Sequence, residues 1–132
     1  FSASGVSSWV KVQNEIPKMD IFQPTLRAGM RHYQDKLGGG FNRVKFYKTY
    51  DGMVGMTGLL YIEPGYRTHG VVICQLPAGY RPAGTIIFNQ RSDSSAENSR
   101  IEIHGGGEIV FASPSNSASW VSFGGIQFPA EN

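Results

Sequence analysis

The residues of this chain best suited to chemistry stand in a row. Arg100-Ile101-Glu102-Ile103-His104 alternates strictly, so an extended backbone puts Arg100, Glu102 and His104 on one face and the two isoleucines on the other. A guanidinium, a carboxylate and an imidazole side by side offer directional donors and acceptors, which is what the vicinal hydroxyls of a saccharide require. Arg91 and Asp93 bracket the start of the polar stretch 92–99, which also carries Glu97. Sugar recognition further uses an aromatic ring against the C–H face, for which Trp120, Tyr66 and Tyr80 are the candidates. The competing reading is structural. Polar residues alternating along a strand are usually its solvated outer face, and an indole beside a Ser/Asn-rich loop is more often a core or subunit-interface anchor than a ligand platform.

Other chemistries lack their signatures. There is no G-x-S-x-G elbow and no P-loop, and neither Gly38-Gly39-Gly40 nor Gly105-Gly106-Gly107 extends to G-x-G-x-x-G. One cysteine and the scattered His32, His69 and His104 do not compose a zinc pattern, so no metal and no cofactor is expected. The ten Asp and Glu residues leave open a carboxylate pair at glycosidase spacing, a distance that sequence does not measure. The reading is therefore of a protein that is not an enzyme.

Bulk properties narrow the partners. Twelve Lys and Arg against ten Asp and Glu give a formal charge of +2, spread along 132 residues without a basic run, which argues against nucleic acid. A single-stranded nucleic-acid binder on a small barrel would need a basic groove with stacking aromatics. No apolar run approaches the roughly 18 residues of a membrane span. Cys74 sits in the apolar stretch Val71-Val72-Ile73-Cys74-Gln75-Leu76 and reads as a small buried hydrophobe. Without a disulfide framework, a domain of this size must rely on its core, on a metal or on other subunits. The sequence opens on Phe1-Ser2-Ala3-Ser4-Gly5 without an initiator Met or the features of a signal peptide, and is expected to be part of something longer.

The elements that must position these residues are strands. Seventeen Gly and seven Pro place a turn signal about every ten residues, and no long 3.6-residue periodicity survives between them, which predicts an all-β sandwich or barrel. Trp9-Val10-Lys11-Val12 predicts a short strand, and residues 26–33 a second. Residues 43–50, rich in aromatic and β-branched side chains, run into Asp51-Gly52, the pair favoured in a two-residue type I′ hairpin. In that register Tyr50 faces Met53 and Phe46 faces Thr57, with a returning strand over 53–62 in which Gly55 and Gly58 leave room for a bulge or a close approach. Glu63-Pro64-Gly65-Tyr66 suits a type II turn. Further strands are predicted over 70–76, buried on both faces, then 85–91, 100–104, 108–112, 120–123 and 126–128.

Three segments together resemble a known family. Pro24-Thr25-Leu26-Arg27-Ala28-Gly29-Met30, then residues 46–58 (Phe-Tyr-Lys-Thr-Tyr-Asp-Gly-Met-Val-Gly-Met-Thr-Gly), then Leu76-Pro77-Ala78-Gly79-Tyr80-Arg81-Pro82 are similar to the C-terminal domains of tailed-phage tail and baseplate proteins. Those carry a P-x-L-x-x-G opening, a Y-Y-K-D-x-x-G-x-V-x-L-x-G hairpin, an L-P-x-G-Y-R-P corner and a closing W-(V/L)-S-L-x-G-I-x-F like residues 120–128 here. The likeness covers residues 24–128, with the Pro-rich corner its most specific part. Met30 departs from it where an aromatic is common, as does Gly55-Met56-Thr57 where the triplet is usually more hydrophobic or charged.

The resemblance implies a receptor-binding, or adhesin, head domain like those of siphophages that infect lactococci and related Gram-positive hosts. Such heads are compact antiparallel β-barrels that assemble as homotrimers at the tip of a shaft and bind host cell-wall saccharide in shallow pockets without cleaving it. It implies residues 1–23 as an N-terminal connecting segment and 24–132 as the head, with shaft and baseplate proteins as partners and a place at the virion tail tip, outside the host cell. Threefold assembly would multiply weak sugar contacts by avidity. The closing Trp belongs to the general pattern, which strengthens the structural reading of Trp120. The site residues are His104, Glu102, Arg100, Arg91, Asp93, Trp120 and Tyr66, of which His104 with Glu102 and Arg91 with Asp93 come from the residues of this chain and not from family positions. A purely structural tip module and a cell-wall depolymerase remain the alternatives.

Overall fold

Short stretches of alternating apolar residues, each closed by Gly, Pro or a Ser/Asn cluster, become strands because each has one face to bury. A computed structural model describes residues 20–93, 99–112 and 118–132. The strand expected at Trp9-Val10-Lys11-Val12 and residues 1–19 of the connecting segment lie outside them. The described elements are, in order, β1 Ile21–Phe22, β2 Met30–His32, α1 Tyr33–Leu37, β3 Lys45–Lys48, β4 Met53–Thr57, β5 Leu59–Ile62, β6 Val71–Gln75, β7 Ile86–Gln90, β8 Ser99–Ile103, β9 Glu108–Phe111, β10 Trp120–Ser122 and β11 Gln127–Pro129. Every pairing is antiparallel, in three sheets of order β1-β3-β4-β11, β10-β5-β2 and β6-β9-β8-β7. The fold is thus all-β and sandwich-like, and among the described residues no closed ladder joins the sheets into one barrel. Phe111, Phe123, Phe128, Leu60, Ile62, Ile101 and Ile103 are fully buried between the sheets.

Several expectations are corrected. The β3–β4 hairpin is one residue out of the predicted register: Phe46 faces Met56, and Lys48 faces Val54. The Gly52 amide donates to Thr49 O at 3.0 Å and Thr49 N to Met53 O at 2.7 Å, so the loop has three residues, a turn followed by Gly52 at φ 86°. Asp51 does not adopt positive φ, which a type I′ turn requires at both central positions. The slip matters because it puts Phe46 and Met56, both buried, on the same face.

The returning strand is not continuous either. It breaks at Gly58 into β4 and β5, which belong to different sheets. Gly58 has φ 107°, and a Cβ there would lie 2.4 Å from Arg43 O, so the chain turns the corner where only glycine fits. Residues 26–33 contribute only the three-residue β2 before the chain enters α1. The 70–76 run contains a bulge between Val72 and Cys74, through which Ile73 and Cys74 both enter the core while Gln75 stays exposed. Burial pushes the Cys74 thiol up to about 12, consistent with an inert core residue.

Hydrogen bonds between connections and strands help tie the sheets together. Ser122 N donates to Arg91 O at 2.9 Å beside an isolated Ser92↔Val121 bridge, linking the end of β7 to β10. At the opposite corner, Arg81 Nε donates to Leu76 O at 2.8 Å and folds residues 77–83 over the last two residues of the chain.

Candidate functional site

The register of the third sheet fixes what the polar row faces. Glu102 lies opposite Ile87 on β7 and Val110 on β9, and Arg100 lies opposite Asn89. Ile101 and Ile103 point into the core, so Arg100, Glu102 and His104 stand on the outer face as the alternation predicts. The three side chains touch. His104 Nε2 is 3.1 Å from Glu102 Oε1, and Arg100 Nε is 3.2 Å from Glu102 Oε2. A carboxylate has only acceptors, so in this contact His104 donates from Nε2–H. Arg100 Nε is buried yet not aligned as a donor to Glu102, while 42% of its side chain remains accessible. The centre of the row is therefore a half-buried carboxylate holding a cation on one side and an imidazole on the other.

Ile87 and Asn89 complete this face and were not singled out from sequence. Their own alternation in β7 was readable, but only the β7–β8 register places them beside Glu102 and Arg100. Ile87 is 58% exposed and offers an apolar surface next to the charged row.

The other candidates lie elsewhere. Arg91 is exposed one residue past β7. Asp93 does not pair with it. Its Oδ1 accepts the Ser119 amide at 2.7 Å and the Trp120 amide at 3.2 Å, and its Oδ2 accepts the Ser119 hydroxyl. This carboxylate thus pins the entry to β10. Trp120 is half-buried on the outer face of the second sheet, opposite Tyr61. Tyr66, 41% exposed, follows the turn closed by Tyr66 N to Glu63 O at 3.1 Å, and its ring lies directly over Gly29, where a Cβ would come within 2.2 Å of it. The seven residues form three separate groups: the Arg100-Glu102-His104 row with Arg91 at the far end of the neighbouring strand, the Asp93–Trp120 pair, and Tyr66.

The second sheet carries an arrangement that sequence reasoning missed. Trp120, Tyr61 and Arg31 are cross-strand partners on its outer face, since Leu60, Ile62 and Val121 fill the inner one. Lys36 Nζ lies 5.6 Å and the Arg67 guanidinium 5.7 Å from the centre of the Tyr61 ring. These residues come from β10, β5, β2, α1 and the loop after β5, so no spacing in the sequence announces them. Among the described residues no group of three or more His, Cys, Asp and Glu is arranged to hold a metal.

The sequence matches no family model and no curated protein. Its fold, however, is similar to a solved one. The crystal structure of the receptor binding protein (gp15) of Listeria phage PSA superposes with a TM-score of 0.72 over 98% of this chain and 76% of that one, at 14% sequence identity. At that identity the likeness is one of fold: this chain shares the architecture of a phage receptor-binding protein.

Proposed function

We propose that this chain is the receptor-binding head of a tailed-phage tail tip or baseplate, a non-enzymatic adhesin that binds host cell-wall saccharide outside the cell. The observation that carries the reading is the fold likeness over 98% of the chain to a phage receptor-binding protein. The motifs that resemble siphophage heads agree with it. The Arg100-Glu102-His104 row, with Ile87 and Asn89 beside it, provides preorganised polar groups next to an exposed apolar side chain, the combination that a pyranose ring needs. The head acts as a homotrimer on a shaft. Ile21 and Phe22 of the edge strand β1, 56% and 42% exposed, supply apolar surface that a neighbouring copy would cover.

Binding of the chain to host cells and to a glycan array tests this, with the particle mass in solution read on the same preparation. Binding by a particle of three chains, lost in Arg100→Ala and in His104→Ala variants that melt like the parent, is the expected result. Binding that survives both changes overturns the site. A chain that binds no host cell favours the purely structural tip module, which the architectural role of Arg81 in the 77–83 corner suits. Release of reducing sugar from host cell wall would make it a depolymerase.

A further inference from the structure

The outer face of the second sheet is a different surface from the Arg100-Glu102-His104 row, and its charges do not balance. Arg31, Lys36 and Arg67 meet there. Among the described residues the carboxylate paired with them is that of Glu63, 3.8 Å from Arg31 and 3.3 Å from Lys36. Asp35, also nearby on α1, is neutralised by Arg43 at 2.6 Å, and that guanidinium holds its carboxyl below the usual carboxylate range.

The cations are held in place rather than trailing in solvent. Arg67 donates from Nε to Ile62 O at 2.9 Å and from a terminal nitrogen to the Tyr61 hydroxyl at 3.3 Å, with its guanidinium carbon 5.7 Å from the centre of the Tyr61 ring. Lys36 lies over the same ring and reaches Glu63. With two of the three long side chains already held, a ligand that meets them loses less of its binding energy to ordering. The surface is open: the hollows at its edges, one lined by Arg31 with Pro24, Leu26, Met30, His32 and Asp35 and one by Arg67 with Pro64, Gly65 and Thr68, flank it and do not enclose it.

Lys36 and Arg67 lie against the Tyr61 ring and compete with a sugar for stacking on it, so this is not built as a neutral-sugar platform. Its surplus is positive charge presented by a fixed guanidinium and ammonium, the geometry that receives carboxylate or phosphate oxygens. We infer that the Arg31-Lys36-Arg67 surface around Tyr61 is an oxyanion-binding site that takes an acidic glycan, one carrying phosphate or carboxylate groups. It rests on the adhesin reading only for the biological source of that glycan.

The test compares dextran sulfate with neutral dextran of equal length, each immobilised and presented to the whole chain. Dextran sulfate should bind at low salt and weaken as sodium chloride is raised, and neutral dextran should not bind. Lys36→Gln and Arg67→Gln should each weaken binding about tenfold, the scale of one charge-assisted hydrogen bond. Glu63→Gln, which removes the opposing charge, should strengthen it several-fold, and this arm does not depend on losing a packing contact. Lys45→Gln on β3 removes an equal charge outside the surface and should leave binding unchanged. Competition by inorganic polyphosphate or by polygalacturonate supports the site and names the anionic group. Failure of both to compete, equal binding to the two dextrans, or an equal loss in Lys45→Gln overturns it. Host-cell adhesion measured alongside separates the two claims. Dextran sulfate binding without adhesion leaves this site standing and the adhesin reading fallen; adhesion without dextran sulfate binding does the reverse.

Discussion

His32 shows how much a single side chain can contribute to a small β domain. The Val44 amide donates to its Nδ1 at 2.9 Å, so the imidazole joins the end of β2 to the strand region before β3 as an acceptor. An acceptor nitrogen must be unprotonated. Burial lowers the His32 pKa below its ordinary value, helped by Arg43 and Lys45 and opposed by Asp35. The unfolded chain therefore takes up the proton more readily than the folded one. The stability that this contact contributes is complete above about pH 6.5 and is lost as pH falls from there through the lower folded value. Urea unfolding at pH 7.5 and pH 5 should show the parent losing more stability on acidification than His32→Asn, whose amide oxygen can accept the same N–H without titrating. Equal losses in the two proteins would remove His32 as the cause. Asp93 shows a second use of one side chain, its Oδ1 accepting the Ser119 and Trp120 amides and so fixing the entry to β10.

At the scale of elements, the sequence was most informative where one strand decides its own pattern. The period-2 row from Arg100 to His104 needed no partner to be legible, and its burial follows it residue by residue. The hairpin was legible as a hairpin but not in register, because Asp-Gly serves both a two-residue turn and a three-residue loop that ends in a left-handed glycine. The second sheet's cationic surface was illegible, since it is assembled from five separate elements. Gly58 lies between these cases: its position invited a bulge or a close approach, and the structure makes it the point where β4 passes into β5 and one sheet into another. Gly58→Ala should destabilise the chain by at least about 2 kcal/mol, since positive φ and the clash with the Arg43 carbonyl act together. Gly84→Ala, where a Cβ meets nothing within 4 Å, is the control and should stay within about 0.5 kcal/mol of the parent. Equal melting of the two variants would show that the bend tolerates a side chain.

At the scale of the molecule, the corner that carries most of the family likeness acts as a clasp. Residues 77–83 connect β6 to β7 in the third sheet, yet their partners come from the end of the chain, just past β11 of the first. Asn132 O accepts from Gly79 N at 2.8 Å and Arg81 N at 3.2 Å, Arg81 O accepts from Glu131 N at 2.8 Å and Asn132 N at 3.0 Å, and Asn132 Nδ2 donates to Pro82 O at 3.0 Å. Lys48 of β3 adds a bond to Gly79 O at 2.8 Å and lies over the Tyr80 ring. The Pro and Gly residues of that corner shape a loop whose backbone groups face another strand's end, which gives so specific a motif an architectural role. Removing Glu131 and Asn132 leaves those carbonyls and amides to water, at a cost of about 0.5–1.5 kcal/mol for each bond not replaced. A chain ending at Ala130 should therefore unfold at distinctly lower urea concentration than the parent, by about 2–4 kcal/mol in all, while its dextran sulfate affinity and its cell adhesion under native conditions stay unchanged. A truncated chain as stable as the parent would mean that the clasp is decorative, and one that is stable but no longer adheres would move the ligand site to this corner.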